Sequence, residues 1–297
     1  MSAVLDSRSA TRPSLFVPAL LACYVIWGST YLAIRFALES FPPFLQMGTR
    51  FLTAGVVLMA WVALRRRDPW PTALEWRNAF VIGTLMLGAG MGLCAASEQY
   101  IGSGLIAAFI AVTPMVTCGW GLFFGQKPSR LEFIGMAVGV AGVLMLLRGQ
   151  SFTAAPVGIA CVAGATVAWS LGSVLTTTKL PLARGPMGFA SEMLCGGAVL
   201  MVVSLALGEQ AVVPLKPLAM AAWLYLVVFG SLIAFSAYMY LLAHASSAVA
   251  TSYAFVNPVI ALLLGIWIGS EHVTGGEWAA CGVILAGVVL IFRGKSA

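Results

Sequence analysis

Apolar residues run along this chain in long blocks, interrupted by short stretches of charge or by Gly and Pro. The blocks show no two-residue alternation and no narrow polar stripe. Ten can be drawn, over residues 15–36, 44–64, 76–97, 102–124, 131–147, 156–178, 187–208, 218–242, 246–268 and 277–292. Each approaches the roughly 20 apolar residues a helix needs to cross a bilayer, whereas barrel strands would read as alternating segments of about 10 residues. The pattern predicts an all-α polytopic membrane protein with ten transmembrane helices, and the gaps leave no room for a soluble domain.

Composition narrows the class further. Of 297 residues, 61% are hydrophobic and 9% charged, against about 25% charged in soluble domains. Glycine (32 residues) has no collagen period, and no polar low-complexity tract occurs, so fibre and disorder are excluded. Cys23, Cys94, Cys118, Cys161, Cys195 and Cys281 all fall inside predicted spans without a C-x-x-C pair. They are expected to be buried thiols, with no disulfide and no metal site. The apolar stretch after Arg8 and Arg12 is longer than a signal-peptide core and lacks an A-x-A cleavage site, so it is expected to remain as the first helix.

The net charge of +6 reads as orientation, not as a nucleic-acid footprint. With the N-terminus inside, cytoplasmic segments hold twelve of the sixteen Lys and Arg, while Arg35, Arg50, Arg148 and Lys216 belong to the other side. Both termini are therefore expected in the cytoplasm.

Shifting the chain on itself by 142 to 145 residues exposes an internal repeat. Trp27 falls on Trp169, Leu58-Met59 on Leu200-Met201, Pro114 on Pro258, Gly125 on Gly269, Glu132 on Glu277, Gly142 on Gly287 and Arg148-Gly149 on Arg293-Gly294. Five spans per copy is an odd number, so the second copy enters the membrane from the opposite side. Two inverted five-helix repeats, 15–147 and 156–292, follow. This is the construction of many secondary transporters, with a site near the bilayer midplane exposed alternately to each side.

The segment Ile26-Trp27-Gly28-Ser29-Thr30-Tyr31 in the first span resembles the opening signature of the EamA-type drug/metabolite transporters. Spans four and nine, with Val112-Thr113-Pro114 and Val256-Asn257-Pro258, resemble that family's small-residue-rich helix with a mid-span proline. The second copy has the expected acidic residue as Glu271, where the first has Gln126-Lys127. The resemblance covers essentially the whole chain. It implies ten helices in two EamA repeats and export of small metabolites, and within the family the chain is most similar to aromatic amino-acid exporters.

A path for a polar solute needs hydroxyls, amides and aromatic rims at membrane depth. Spans one, three, four, six, eight and nine carry most of these, whereas spans five and ten carry glycines suited to close helix packing. Seven tryptophans lie near span ends, where an interfacial belt is expected. Trp27 and Trp169 lie mid-span and either flank a central cavity or pack as core residues. Glu98, followed by Tyr100, is an interfacial group or one that attracts a substrate amine or carries a proton. Tyr238, Tyr253 and Asn257 are further candidate substrate contacts, each also explicable by packing or a kinked helix. Pro114 and Pro258 are candidate hinges. Arg50 and Glu192 are repeat equivalents of opposite sign, expected to be structural, through an ion pair or with Arg50 snorkelling to the surface, and binding of a substrate carboxylate by Arg50 is the alternative.

No G-x-x-x-x-G-K-[ST], H-E-x-x-H or G-x-S-x-G motif occurs, so ATP-driven transport and membrane hydrolysis lack a basis. The expectation is a secondary exporter of amino acids, aromatic and other hydrophobic ones, working by alternating access in a prokaryotic inner membrane. No cofactor, metal or nucleic-acid partner is expected, and a monomer is compatible with the sequence. The alternatives are an exporter of other small metabolites or drugs, a passive channel, or a membrane transferase.

Overall fold

The computed structural model describes residues 15–65, 69–101, 106, 109–146, 148, 155–269 and 274–294, without the side chains of 261 and 265–269. Among them there is no strand. The helices are α1 (Phe16–Ala37), α2 (Pro43–Arg65), α3 (Ala73–Ser97), α4 (Phe109–Phe123), α5 (Arg130–Leu146), α6 (Pro156–Thr178), α7 (Gly185–Ala206), α8 (Pro217–His244), α9 (Ser247–Thr251 and Tyr253–Gly269) and α10 (Gly275–Gly294). Eight of them are long and apolar enough to cross a membrane. α5 has 17 residues, and α4 is a shorter apolar helix whose predicted first residues lie mostly outside the description.

Local chemistry starts several of these helices. Thr72 and Glu75 cap α3 reciprocally, and the same Ser/Thr-x-x-Glu pattern works at Ser129–Glu132 for α5 and Thr274–Glu277 for α10. Pro156 and Pro217 open α6 and α8, where a missing N–H costs no helical hydrogen bond.

The inversion is visible in which ends meet. Phe16 at the start of α1 packs edge-on against Phe292 at the end of α10, centroids 6.4 Å apart. Gly158 at the start of α6, the repeat equivalent of α1, instead lies against Tyr100 and Ile101 beyond the end of α3. α1 and α6 therefore begin on opposite faces. We call the face holding the start of α1 the N-terminal face.

Packing crosses between the copies in matched pairs: α1 rests on α8 and α9, as α6 rests on α3 and α4. α2 lies along α7, and α5 along α10. The last contact is as close as its glycines foretold, since a Cβ on Gly135 would stand 2.6 Å from the Gly287 carbonyl oxygen.

Two backbone features depart from the sequence expectation. α3 and α8 widen into π-helical stretches at Thr84–Met91 and Leu226–Phe235, at equivalent places in the two copies. Such stretches are rare and cluster at functional sites. Pro114 does not kink the middle of a helix. It stands at the start of the regular run Thr113–Phe123, just after a turn at Val112, where its missing N–H disrupts least. Pro258 does lie inside its helix, but α9 is interrupted earlier, at Ser252, whose hydroxyl is 2.7 Å from that of Tyr24 on α1.

Candidate functional site

Four of the residues singled out in the sequence meet at the centre. Trp27 on α1 packs against Trp169 on α6 (centroids 5.6 Å), Tyr238 on α8 (5.2 Å) and Tyr253 on α9 (4.6 Å). Tyr238 in turn lies 5.2 Å from Trp169 and 5.5 Å from Tyr253. Three of the five pairs are edge-to-face, an arrangement that aromatic quadrupoles favour, and two are tilted. All four side chains are buried, so they form a layer across the middle of the bundle.

The two tryptophans are equivalent in sequence but not in bonding. The Trp27 indole N–H donates to the Gly230 carbonyl, 3.3 Å away in the wide stretch of α8. The Trp169 N–H is buried beside the Tyr238 hydroxyl without hydrogen-bond geometry to it. Tyr238 is held instead by the Ser173 hydroxyl at 2.8 Å.

On the side of this layer away from the N-terminal face is a cavity of about 60 Å³. Trp27, Trp169 and Tyr253 form its base, and Asn257, Thr30 and Thr166 supply polar wall. No charged residue lines it among the described residues. The threonine hydroxyl protons are already given away, Thr30 to the Trp27 carbonyl at 2.8 Å and Thr166 to the Val162 carbonyl at 2.9 Å. Both polar atoms of the Asn257 amide, buried near the Tyr31 hydroxyl, lack a partner. A buried amide with donors and acceptor unspent calls for a ligand or water.

On the other side of the layer, a cleft of about 810 Å³ is walled by the first turns of α1 and α7 and the last turns of α6 and α8. A smaller cavity of about 280 Å³ lies nearby, between the α4–α5 connection and the start of α9. The aromatic layer thus separates spaces on opposite sides of the bundle.

The remaining candidates stand apart. Tyr100 is 48% exposed and outside the cavity. Glu98, just past α3, has one oxygen buried without a partner and lies within electrostatic reach of Tyr31 and Arg35, but is not part of the cavity wall. Pro114 and Pro258 adjoin the lining residues Thr113 and Asn257 without lining it themselves. Sequence reasoning missed Thr30 and Tyr31 as lining groups, although both belong to the Ile26–Tyr31 segment. It also missed Gly90, where an added Cβ would come within 3.2 Å of Trp169; the run Gly88-Ala89-Gly90-Met91-Gly92 was its only signal.

Arg50 and Glu192 do not pair. Arg50 is fully buried, donating to the Ser231 hydroxyl at 2.7 Å and lying 4.8 Å from the Phe51 ring centroid. It neither reaches the surface nor meets Glu192, whose two oxygens have no hydrogen-bond partner.

Inverted helical repeats around a central aromatic layer, with spaces on either side, are the construction of many membrane transporters. The comparisons agree. The EamA-like transporter family model matches twice, over residues 15–148 and 156–293. The uncharacterized inner membrane transporter YedA of Escherichia coli (strain K12) is 42% identical over 278 residues, covering 93% of this chain and 90% of that one. Protein PecM of Dickeya dadantii is 27% identical over 274 residues, covering 90% and 86%. A protein of known crystal structure superposes with a TM-score of 0.77 at 20% identity, over 96% of this chain and 99% of its own, which bears on the fold alone. The chain belongs to the EamA-like transporter family: it is a multi-pass inner membrane transporter of small molecules, not an enzyme.

Proposed function

We propose that the protein exports amino acids, aromatic and other hydrophobic ones, by alternating access between the halves 15–147 and 156–292. The observation that carries this is the pairing of an aromatic floor with unspent hydrogen-bonding capacity: Trp27, Trp169 and Tyr253 floor a pocket without charged residues among the described ones, and the Asn257 amide in its wall has no partner. A flat apolar side chain stacks on the rings, while the amide orients the polar end. At about 60 Å³ the cavity holds only a few waters, so a solute is accommodated as the aromatic layer and the halves part. In this reading Tyr238 and Tyr253 move with that layer, Pro114 and Pro258 allow the flanking helices to bend, and Glu98 and Tyr100 meet the solute after it leaves the cavity. Both termini, and hence the N-terminal face, lie in the cytoplasm in this reading.

The test is flux in proteoliposomes of purified protein with labelled L-phenylalanine, challenged by each of the twenty amino acids. Saturable flux that exchanges, with Phe, Tyr and Trp competing most strongly, is expected. Unsaturable flux would make the protein a channel, and strongest competition by small polar amino acids would overturn the aromatic preference. Cysteines placed at Lys179 and Arg184 should label from the cytoplasm only.

A further inference from the structure

Glu192 is a carboxylate that the cavity does not use. It lies on α7 seven residues after Gly185, roughly 10 Å along the helix at 1.5 Å per residue. Its residue is 0% exposed, and neither oxygen accepts a hydrogen bond. Water is excluded on one side because α3 approaches backbone to backbone: a Cβ on Gly83 would lie 2.7 Å from the Glu192 carbonyl oxygen. The titratable groups in electrostatic reach are Tyr238 on α8 and Cys195 one turn along α7. Arg50 and Arg65 of α2, Glu75, Arg77 and Cys94 of α3, and Tyr225, Tyr240 and His244 of α8 belong to the helices packed on α7. None of them gives either oxygen a hydrogen bond.

A carboxylate anion stripped of water needs a counter-charge or several donors, and Glu192 has neither. Its repeat equivalent Arg50 is anchored on Ser231, so the pair is not a structural device repeated in both copies. Protonation removes the anion and with it the need for a counter-charge or donors. A route is present. The 810 Å³ cleft from the N-terminal face is lined by Phe189, one turn before Glu192, and by Ser236 and Tyr240, which flank Tyr238 along α8. Ser236 has a buried hydroxyl without a hydrogen-bond partner. From the geometry we infer that Glu192 is a proton-binding site loaded and emptied through this cleft, and that its occupancy couples solute movement to a counter-moving proton. The reaction is simple association, carboxylate plus proton giving the carboxylic acid. The coupling rests on the exporter reading above; the proton site does not.

Two measurements test these parts separately. In infrared difference spectra of the purified protein between pH 5 and pH 9, a carboxylic-acid C=O band that changes with pH should be missing from Glu192→Gln. A spectrum of Glu192→Gln identical to wild type would overturn the site. In proteoliposomes equilibrated with labelled L-phenylalanine, a one-unit pH gradient should drive accumulation on the acidic side, up to about tenfold for one proton per solute. Glu192→Gln should fall to about onefold while still exchanging phenylalanine without a gradient. Accumulation by Glu192→Gln equal to wild type, or wild-type exchange blind to the gradient, would overturn the coupling. If wild type neither exchanges nor accumulates phenylalanine, the exporter reading fails and the infrared result alone decides the proton site. Should Glu192→Gln not fold, Glu192→Asp must retain a pH-dependent C=O band displaced in frequency. An undisplaced band would assign the signal to another carboxyl and overturn the proposal.

Discussion

The two copies of the repeat use the same capping carboxylate to different ends. Glu277 at the start of α10 serves only its own cap, accepting from the Thr274 N–H at 2.7 Å and the Thr274 hydroxyl at 2.8 Å. Glu132 at the start of α5 accepts from the Ser129 N–H at 2.8 Å and, in addition, from the Ser246 hydroxyl at 2.5 Å, across to the start of α9 in the other copy. Gln126 reinforces that link, donating to Thr177 at 3.2 Å and accepting from Ser247 at 2.9 Å. The copies therefore share backbone but not polar ties. At the N-terminal face the end of α4 and the start of α5 are stitched to α6 and α9, whereas Glu277 reaches nothing beyond its own turn among the described residues.

The comparison is broken most severely where the copies are truly alike. Gly135 and Gly287 each meet the opposing backbone, so Gly135→Leu and Gly287→Leu should destabilise alike. The cost expected is about 3 kcal/mol or more, the upper end for overpacking because backbone yields less than side chains. Thermal unfolding in detergent reads this, and a large difference between the variants would contradict the symmetry of the α5–α10 contact. Next comes the stitched end. Glu132→Gln should cost roughly 1.5–3 kcal/mol, as expected for lost hydrogen bonds to a charged group. Glu277→Gln, at an exposed cap, should cost clearly less. Equal losses would mean that the Ser246 link adds nothing.

The tryptophans sharpen the contrast further. Trp27→Phe gives up a buried hydrogen bond to Gly230, worth about 1 kcal/mol, and should lower stability more than Trp169→Phe, which gives up none. Phenylalanine transport should show the reverse order, with Trp169→Phe the more impaired. The smallest effect belongs to the opposite face, where Lys216 pairs with Glu39 at 3.0 Å in an exposed bridge. Lys216→Ala should cost at most about 1 kcal/mol, and that difference should shrink as salt is added.

How much of this was readable from the chain follows from the physics of each feature. The spans, the close-packing glycines of α5 and α10, though not that these helices pair, and the mid-span tryptophans were legible, because apolar length, small-residue spacing and repeat offset are properties of sequence. The wide stretches at Thr84–Met91 and Leu226–Phe235 were not. Helices apolar on all sides leave no amphipathic phase whose slip would betray an extra residue per turn. Arg50 is expected to be structural, but its partner was not legible: Ser231 is 181 positions away and reachable because α8 approaches there without a side chain, at Gly230. Tyr100 was assigned by proximity to Glu98 in sequence, but past the end of α3 neighbouring residues diverge, leaving its ring largely in the open.

One consequence of the packed aromatic layer concerns what a binding experiment will read. Any solute bigger than a few water molecules meets a chamber already filled by its own walls, so only the fraction of molecules whose rings have separated can admit it. The dissociation constant measured at equilibrium will exceed the intrinsic one by the reciprocal of that fraction. A substitution that props the rings apart will therefore tighten apparent binding without adding a single new contact to the solute.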